Sequence, residues 1–363
     1  MANSFYQTTT SPRLYVSYPL WQYANGALDE VGGYAIGNNS DEDLFKLIQL
    51  DPSNVTAFFP QQTDSMALTY RIVPESDTST DLLESNLWNF NYAMILGHNL
   101  SSAGAIPKIV TRDDNGNQTL ITTTNIINAP PESSPEYDGF TIMGLQGAGA
   151  ADDYKIKFGF DAETDHWSEV PIYLGSVAFG KYFDFPQNCN LSTSTTYDYG
   201  VKQKSTISGK TVSTANWTKT SNWITEPFGL TEAFGERGDN FQRKSGRRSW
   251  KLSFDSLAPD KVMNQNPMMN DNAWRTSDLN GNQFDNYSTT DGNGSLYNIN
   301  NAVDFYTTVV HRCMANHLPM VLQLDKDNPS PEQFAIVRMD KKYSIKQKSP
   351  NLYNISLTLT EQI

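Results

Sequence analysis

Residues 352–360 restrict the fold more than any other part of the sequence, because apolar and polar side chains alternate along them. Successive side chains of a β-strand point to opposite faces of a sheet, so this pattern predicts a half-buried strand. Two shorter apolar runs, 320–324 and 333–338, precede it and are separated by turn-forming residues. The sequence therefore predicts three antiparallel strands here. The apolar residues of the last strand are Tyr353, Ile355, Leu357 and Leu359.

A helix is predicted just before these strands, at about residues 301–317. Apolar residues recur there at three- and four-residue steps, which places them on one face of an α-helix. Pro319 ends the pattern. One helix packed on antiparallel strands is the expected unit. The residues of its apolar face are Ala302, Phe305, Tyr306, Val309 and Cys313.

The composition favours strands and turns over long helices. Aromatic residues reach 12% and charged residues only 18%, while Ser, Thr, Asn, Gly and Tyr are abundant. A chain of 363 residues is longer than one small core usually occupies, which favours two domains. We predict a mainly β protein with domains at 1–186 and 187–363.

Charge changes along the chain at a similar position. Residues 1–170 contain 7 Lys or Arg against 22 Asp or Glu, a net charge of −15. Residues 171–363 contain 20 against 18, a net charge of +2. A domain boundary is one explanation and a chance asymmetry is the other. The total of −13 argues against general nucleic-acid binding, because phosphate contacts need a basic surface.

The sequence gives no sign of secretion or of membrane insertion. Its first ten residues lack the basic start and the apolar run of a secretion signal. No apolar stretch approaches the roughly 20 residues that cross a bilayer. The two cysteines, Cys189 and Cys313, imply no disulfide framework. A cytosolic product is expected.

An apolar strand that runs into a Gly-His-Asn-Leu sequence marks the first half. The strand covers residues 87–96 and is followed by Gly97 to Leu100, small residues and another strand at 106–110. This order resembles the galactose-binding-like jelly-roll domains that phage tail proteins carry, and residues 171–180 resemble their returning strand. The resemblance implies a jelly-roll β-sandwich for residues 1–186.

The second half has a different order: a strand, a loop, one helix and three more strands. This order resembles tail proteins of bacteriophages, in particular the ring-forming hub of the distal tail or baseplate and the related tail-tube subunits. The resemblance implies a hub-like or tube-like β-barrel or sandwich with one packed α-helix. The segments that carry it are 247–257, 318–323, 334–338 and 351–361.

The function implied is that of a structural virion protein, a ring-forming tail-tip or baseplate component assembled in the host cytoplasm. Its expected partners are copies of itself, six in the hubs it resembles, and other tail proteins. The ring-forming part comes first in those hubs and second here, which leaves a neck, tube-associated or fibre-attachment protein open. A capsid decoration protein is a further alternative. A glycan-binding tail adhesin is another alternative. Its aromatic candidates for a host surface glycan are Trp21, Trp88 and Trp167.

A basic cluster between residues 237 and 251 supplies the candidates for a subunit interface. It is suited to an acidic neighbour, either another copy or another virion protein. Nucleic acid passing through a tail channel is a further possibility, although no specific nucleic-acid contact is expected. A solvated loop is the alternative, because the aromatic residues of strand-binding grooves are missing. The candidates are Arg243, Lys244, Arg247, Arg248 and Lys251.

No sequence motif indicates catalysis, a metal or a cofactor, and we expect none of the three. Gly-x-Ser-x-Gly, His-Glu-x-x-His and the phosphate-binding loop are all missing. His98 has no second ligand at a useful spacing, so we expect it to be a hydrogen-bonded loop residue. Residues 278–282 begin like a calcium loop, but the Gly falls at the wrong position and no closing Glu follows.

Overall fold

Antiparallel strands account for most of the structure, which is a computed structural model. They lie in two larger sheets and two strand pairs. The prediction of a mainly β, antiparallel fold is therefore confirmed. The model describes residues 11–24, 30–34, 45–52, 54–58, 66–71, 90–112, 118–146, 153–158, 171–190, 193–215, 247–263, 304–330, 333–341 and 343–362.

The strands are numbered in chain order within these ranges. The first half contains β1 Arg13–Ser17, β2 Glu30–Tyr34, β3 Thr56–Phe58, β4 Met66–Arg71, β5 Tyr92–His98, β6 Pro107–Arg112, β7 Gln118–Leu120, β8 Thr122–Ile127, β9 Gly139–Gln146, β10 Asp153–Phe158, β11 Ile172–Leu174 and β12 Ser176–Asp184. The second half contains β13 Ser194–Asp198, β14 Val201–Ser205, β15 Thr211–Ala215, β16 Arg247–Leu257, β17 Met320–Gln323, β18 Phe334–Met339, β19 Ser344–Ser349 and β20 Leu352–Glu361. The helices described are α1 Tyr18–Ala24, α2 Pro259–Val262 and a π-helix at Tyr306–His311.

One sheet of eleven strands joins both halves of the chain. Its order is β13, β16, β20, β18, β17, β1, β12, β5, β9 and β8, and β19 also pairs with β20. β1 lies at the junction, because Arg13 is opposite Asp184 of β12 on one side and opposite Gln323 of β17 on the other. The division at residue 186 stays a prediction, and the hydrogen bonds of this sheet run across it.

The middle of this sheet is strongly curled. Phe140 of β9 and Phe334 of β18 have ring centroids 5.6 Å apart, although four strands separate β9 from β18 in the sheet order. Buried side chains such as Tyr15 and Val321 line the inner face of the curl. The hydroxyl of Tyr15 donates a hydrogen bond of 2.7 Å to Gln323 Oε1, which satisfies both polar groups.

The opposite face of the sheet carries the larger apolar core. Alternate residues of β16 and β20 point into it, among them Phe254 and Leu357. Phe185, which follows β12, stacks on Phe254 with the ring centroids 3.8 Å apart. Phe305 packs against Phe185 with a centroid separation of 5.6 Å. Residues from both predicted domains therefore share one core.

The segment before β17 differs from the predicted α-helix. Residues Tyr306–His311 form a π-helix, and the Ala315 N–H bonds to the Val310 carbonyl, five residues earlier, at 2.7 Å. Residues 307–310 are all β-branched, and such residues fit an α-helix poorly. Of the predicted apolar face, Phe305, Val309 and Cys313 are buried, Tyr306 is half-buried, and Ala302 lies outside the described residues.

The remaining strands form smaller sheets. The order β2, β4, β10, β6 and β7 makes a five-stranded sheet, and β3 pairs with β11. Ile109 of β6 joins the larger core, so this sheet lies against the main one. β14 and β15 form a separate two-stranded hairpin.

Candidate subunit interface

Strand β16 contains the three described members of the predicted interface and divides them between two faces. Its burial alternates along the strand, so that Arg248 points into the core and Arg247 and Lys251 point outward. Arg243 and Lys244 lie outside the described residues. The interface role of these five residues stays a prediction, and the structure assigns the three described ones different surroundings.

Arg248 is fixed inside its own chain. Its Nη2 and Nε atoms donate to the two carboxylate oxygens of Glu361 at 2.6 and 3.0 Å, and its backbone N–H also donates to Glu361, at 3.0 Å. Nη2 also reaches the Phe334 carbonyl at 3.3 Å, and the guanidinium lies 4.9 Å from the centre of the Trp250 ring. The pair is nearly inaccessible, with side-chain exposures of 5% and 1%. Arg248 therefore holds β16 to β18 and β20 and does not lie on the surface.

The outward face of β16 is polar and bears cations. Lys251 is exposed and lies opposite Ser194 of β13 and Thr358 of β20. Lys346 of β19 is also exposed, and it pairs in register with Asn354 on the far side of β20. The other side chains on this face are Ser, Thr and Asn together with Asp255, which accepts from the Asn190 and Asn354 side chains. The cations at the Lys251 end of the face are suited to contact with a negatively charged surface.

The chain continues from β13, at the edge of the large sheet, into a hairpin, residues 201–215, which we name the arm. The Thr206 N–H bonds to the Lys210 carbonyl at 2.8 Å and the Gly209 N–H to the Thr206 carbonyl at 2.9 Å, closing the turn between β14 and β15. Gly209 has a φ of 80°, which glycine adopts without a steric cost. Residues 197–217 alternate loosely around Ser208-Gly209, which predicts a hairpin, and the pairing of β14 with β15 confirms it.

The arm and the residues leading into it expose more apolar surface than the rest of the described chain. Nine large hydrophobic side chains are exposed among the described residues, and five of them lie between residues 197 and 212. Val212 lies opposite Lys204, on the other face of the hairpin from Val201, so each face of the arm exposes a large apolar side chain to a partner. The many Ser, Thr and Lys residues of this segment indicate a solvated or partner-facing surface, but they do not identify its apolar members. These are Tyr197, Tyr199, Val201, Ile207 and Val212.

His98 is buried and is part of a hydrogen-bond chain that holds two loops. Its Nδ1 accepts from the Leu100 N–H at 3.3 Å, so Nε2 carries the proton and donates to Thr141 Oγ1 at 2.8 Å. The Thr141 hydroxyl donates in turn to the Asn128 carbonyl at 3.1 Å. Burial lowers the pKa of His98 to about 3. The predicted hydrogen-bonding role of His98 is confirmed, but the residue ends strand β5 and does not lie in the loop that follows.

Among the described residues, no group of three or more His, Cys, Asp or Glu side chains is placed to hold a metal ion. The calcium-like segment 278–282 lies outside them. In the same part of the chain, no helix has both the length and the apolar character needed to cross a membrane.

No family model and no curated protein matches the sequence. Among solved structures, the carbohydrate-binding module CpGH89CBM32-6 of Clostridium perfringens is 12% identical with a TM-score of 0.27, covering 42% of this chain and 94% of that one. CBM32-3, from a family 31 glycoside hydrolase of the same organism, is 14% identical with a TM-score of 0.28, covering 42% and 90%. A pectin-binding carbohydrate-binding module is 11% identical with a TM-score of 0.23, covering 42% and 91%. At these TM-scores the similarities assign neither a family nor a ligand.

Proposed function

We propose that the protein is a structural subunit of a bacteriophage tail, sited at the tail tip or baseplate, which assembles with copies of itself and with other tail proteins. The arm carries this proposal, because it exposes Val201, Ile207 and Val212 on a preformed hairpin. A partner that covers them gains the free energy of apolar burial. The resemblance of segments 247–257 and 351–361 to tail proteins supplies the location in the tail.

The charge distribution supports a contact between different parts of neighbouring subunits. The outward face of β16 carries Arg247 and Lys251, whereas residues 1–170 have a net charge of −15. Complementary charges steer two surfaces together and favour one orientation. Contact between two different surfaces of identical subunits is head-to-tail, and it produces a ring when the rotation closes.

The proposal includes no catalytic step, no cofactor and no insertion into a membrane. The subunit is made and assembled in the host cytoplasm and remains in the virion tail. A neck protein and a capsid decoration protein differ from it in position alone. Immunogold labelling of intact virions therefore separates the three, because tail-tip label is expected and label at the neck or on the capsid would contradict the tail-tip location.

Native mass of the full chain over a concentration series tests self-assembly. A species of several copies is expected, and six copies would fit the hubs that the second half resembles. The matched control replaces residues 204–212 by Asn-Gly. This two-residue turn joins residues 203 and 213, which pair with each other, and gives a shorter arm. It is expected to stay folded and to remain monomeric. A wild-type chain that is monomeric at every concentration would contradict assembly with copies of itself.

A glycan-binding adhesin is the second candidate, and the aromatic residues of α1 are the observation that favours it. Trp21 is half-buried on α1, and the Arg312 guanidinium lies 4.2 Å from its ring centre. Tyr23, on the same helix, is 45% exposed and lies 5.4 Å from Phe45. Exposed aromatic rings stack on sugars. Binding to a glycan panel that is lost in Trp21→Ala would favour this candidate, and absence of binding would exclude it. Trp88 and Trp167 lie outside the described residues.

A further inference from the structure

We propose that the arm of one copy docks on the acidic first half of a neighbouring copy, so that the subunits join head to tail. This rests on the proposed function and names the surface that the arm contacts. The occupant is a second copy of this chain, because every copy presents both the cationic arm and the acidic half.

The arm is available for such a contact. Among the described strands, β14 and β15 pair with each other and with no other strand, and all of the described side chains from 201 to 214 are exposed. Ile207 stands at the tip and is fully exposed. A two-stranded hairpin alone is marginally stable in water. Docking on a partner would therefore stabilise it as well as bury its apolar residues.

The two faces of the arm differ in charge. Lys202 lies opposite Thr214 and Lys204 opposite Val212, so these four side chains share one face. The other face carries uncharged residues, beginning with Val201 opposite Ala215. The first face therefore combines two cations with an apolar side chain, a combination suited to a carboxylate-bearing surface that also has apolar parts.

The first half supplies a carboxylate-bearing surface in a fixed conformation. Glu132 and Glu136 are exposed on the loop between β8 and β9. Asn128 holds this loop: its Nδ2 donates to the Tyr137 and Phe140 carbonyls at 2.8 and 2.9 Å, and its Oδ1 accepts the Glu136 N–H at 2.8 Å. Because the loop is ordered before contact, docking loses little conformational entropy.

Charge complementarity favours this occupant over a neutral or a cationic surface. The described residues 193–215 contain Lys202, Lys204 and Lys210 against Asp198, while residues 1–170 contain 22 acidic and 7 basic residues. The arm and the loop are different surfaces of the chain. Their contact is therefore heterologous, and it generates a closed ring or a filament according to the rotation between subunits.

The test exchanges the charges on the two surfaces. One variant carries Lys202→Glu and Lys204→Glu, and the other carries Glu132→Lys and Glu136→Lys. A control carries Lys261→Glu and Lys341→Glu. It changes the net charge by the same amount as the arm variant, but at two exposed positions outside the arm. Native mass is measured for each variant alone and for an equal mixture of the two exchanged variants, with circular dichroism as the check on folding.

Each exchanged variant alone is expected to need a concentration roughly tenfold higher, or more, for half-assembly, because like charges then face each other. The control is expected to match the wild type. The equal mixture is expected to recover assembly, since each reversed arm then meets a reversed loop. Recovery in the mixture separates direct contact from a general effect of charge.

Two results would overturn the docking. Unchanged assembly of both exchanged variants would show that neither surface is used, and loss without recovery in the mixture would show that arm and loop do not meet. Both leave the proposed function standing, because the wild type still assembles. A wild type that is monomeric throughout would instead contradict the self-assembly on which both proposals rest.

Discussion

The junction around β1 and the arm both contain apolar and charged side chains, but these side chains are buried or paired at the junction and exposed in the arm. At the junction, Tyr15 and Phe185 are buried, and Arg13 is paired with Asp184 at 2.6 Å. In the arm, Val212 and Lys204 are exposed. The contacts of the junction hold the chain together, whereas the exposed side chains of the arm are available to another molecule. Residue type alone therefore does not distinguish a stabilising residue from a binding one.

The largest effect is expected from cutting the chain after Gln187. This removes β17 from one edge of β1 and takes Phe254 away from Phe185. The remaining piece is expected to lose cooperative unfolding, measured by urea denaturation with tryptophan fluorescence. Shortening the arm, by contrast, is expected to leave the transition unchanged. A cut chain that unfolds cooperatively would establish residues 1–186 as an independent domain, which is the division predicted from sequence.

Breaking the Arg248–Glu361 pair is the next largest expected effect. Glu361→Ala leaves a buried guanidinium without its carboxylate and is expected to lower the free energy of unfolding by about 3–5 kcal/mol. The double change Arg248→Met with Glu361→Leu is expected to recover most of that loss, because an apolar pair needs no compensating charge. Urea unfolding measures both variants. Equal stability of Glu361→Ala and the wild type would show that the pair is dispensable.

His98 is expected to make the fold sensitive to acid. The burial that lowers its pKa from 6.5 to about 3 keeps it neutral in the folded chain, while the unfolded chain takes up a proton below pH 6.5. The unfolded state then binds more protons, so stability falls as the pH falls from 6.5 towards 3. From pH 7 to pH 5 the loss due to this residue is on the order of 2 kcal/mol.

The comparison that isolates this effect is His98→Gln, which keeps a neutral donor for Thr141. Urea unfolding at pH 5, 6 and 7 is expected to show a shallower dependence on pH in this variant than in the wild type. The variant is less stable at pH 7 if the glutamine fits poorly, but the slope is unaffected by that offset. Parallel slopes for the two chains would contradict the assignment.

The smallest effect on stability is expected in the arm. Val201→Ser with Val212→Ser changes two half-exposed side chains and is expected to alter the free energy of unfolding by less than about 0.5 kcal/mol. Assembly is expected to weaken, because the covered apolar area shrinks. Val337→Ser, at a buried position, is the contrast and is expected to cost several times more stability. A large loss of stability from the arm changes would remove the distinction between the two regions.

Local patterns in the sequence predicted the strands at the end of the chain and the hairpin, because alternation and turn residues are local signals. The alternation along β16 also predicts that Arg248 and Lys251 differ in burial. Arg248 is in phase with the apolar Trp250, Leu252 and Phe254, whereas Lys251 is out of phase with them. Charge alone places both residues in one basic cluster, because charge does not indicate the face of the strand on which a side chain lies. The β-branched run at residues 307–310 was also visible and disfavours the predicted α-helix.

The partners of β1 could not be predicted in this way. Its contacts with β12 and β17 join residues that are far apart in the chain, and no pattern within residues 13–17 distinguishes one partner strand from another. The same applies to the curl that brings Phe140 to Phe334. The pairing of distant strands depends on all the strands of the chain together. The pattern within one strand therefore predicts that a strand forms but does not predict its neighbours in the sheet.

The position of β1 also has a consequence for synthesis. Tyr15 and its hydrogen-bond partner Gln323 are 308 residues apart, so at about 5–20 residues per second the ribosome needs roughly 15–60 s between them. During that time one edge of β1 lacks its neighbour, and unpaired strand edges are prone to aggregation. The chain is therefore expected to depend on chaperones, or on slow late closure, more than a protein of equal length with local contacts.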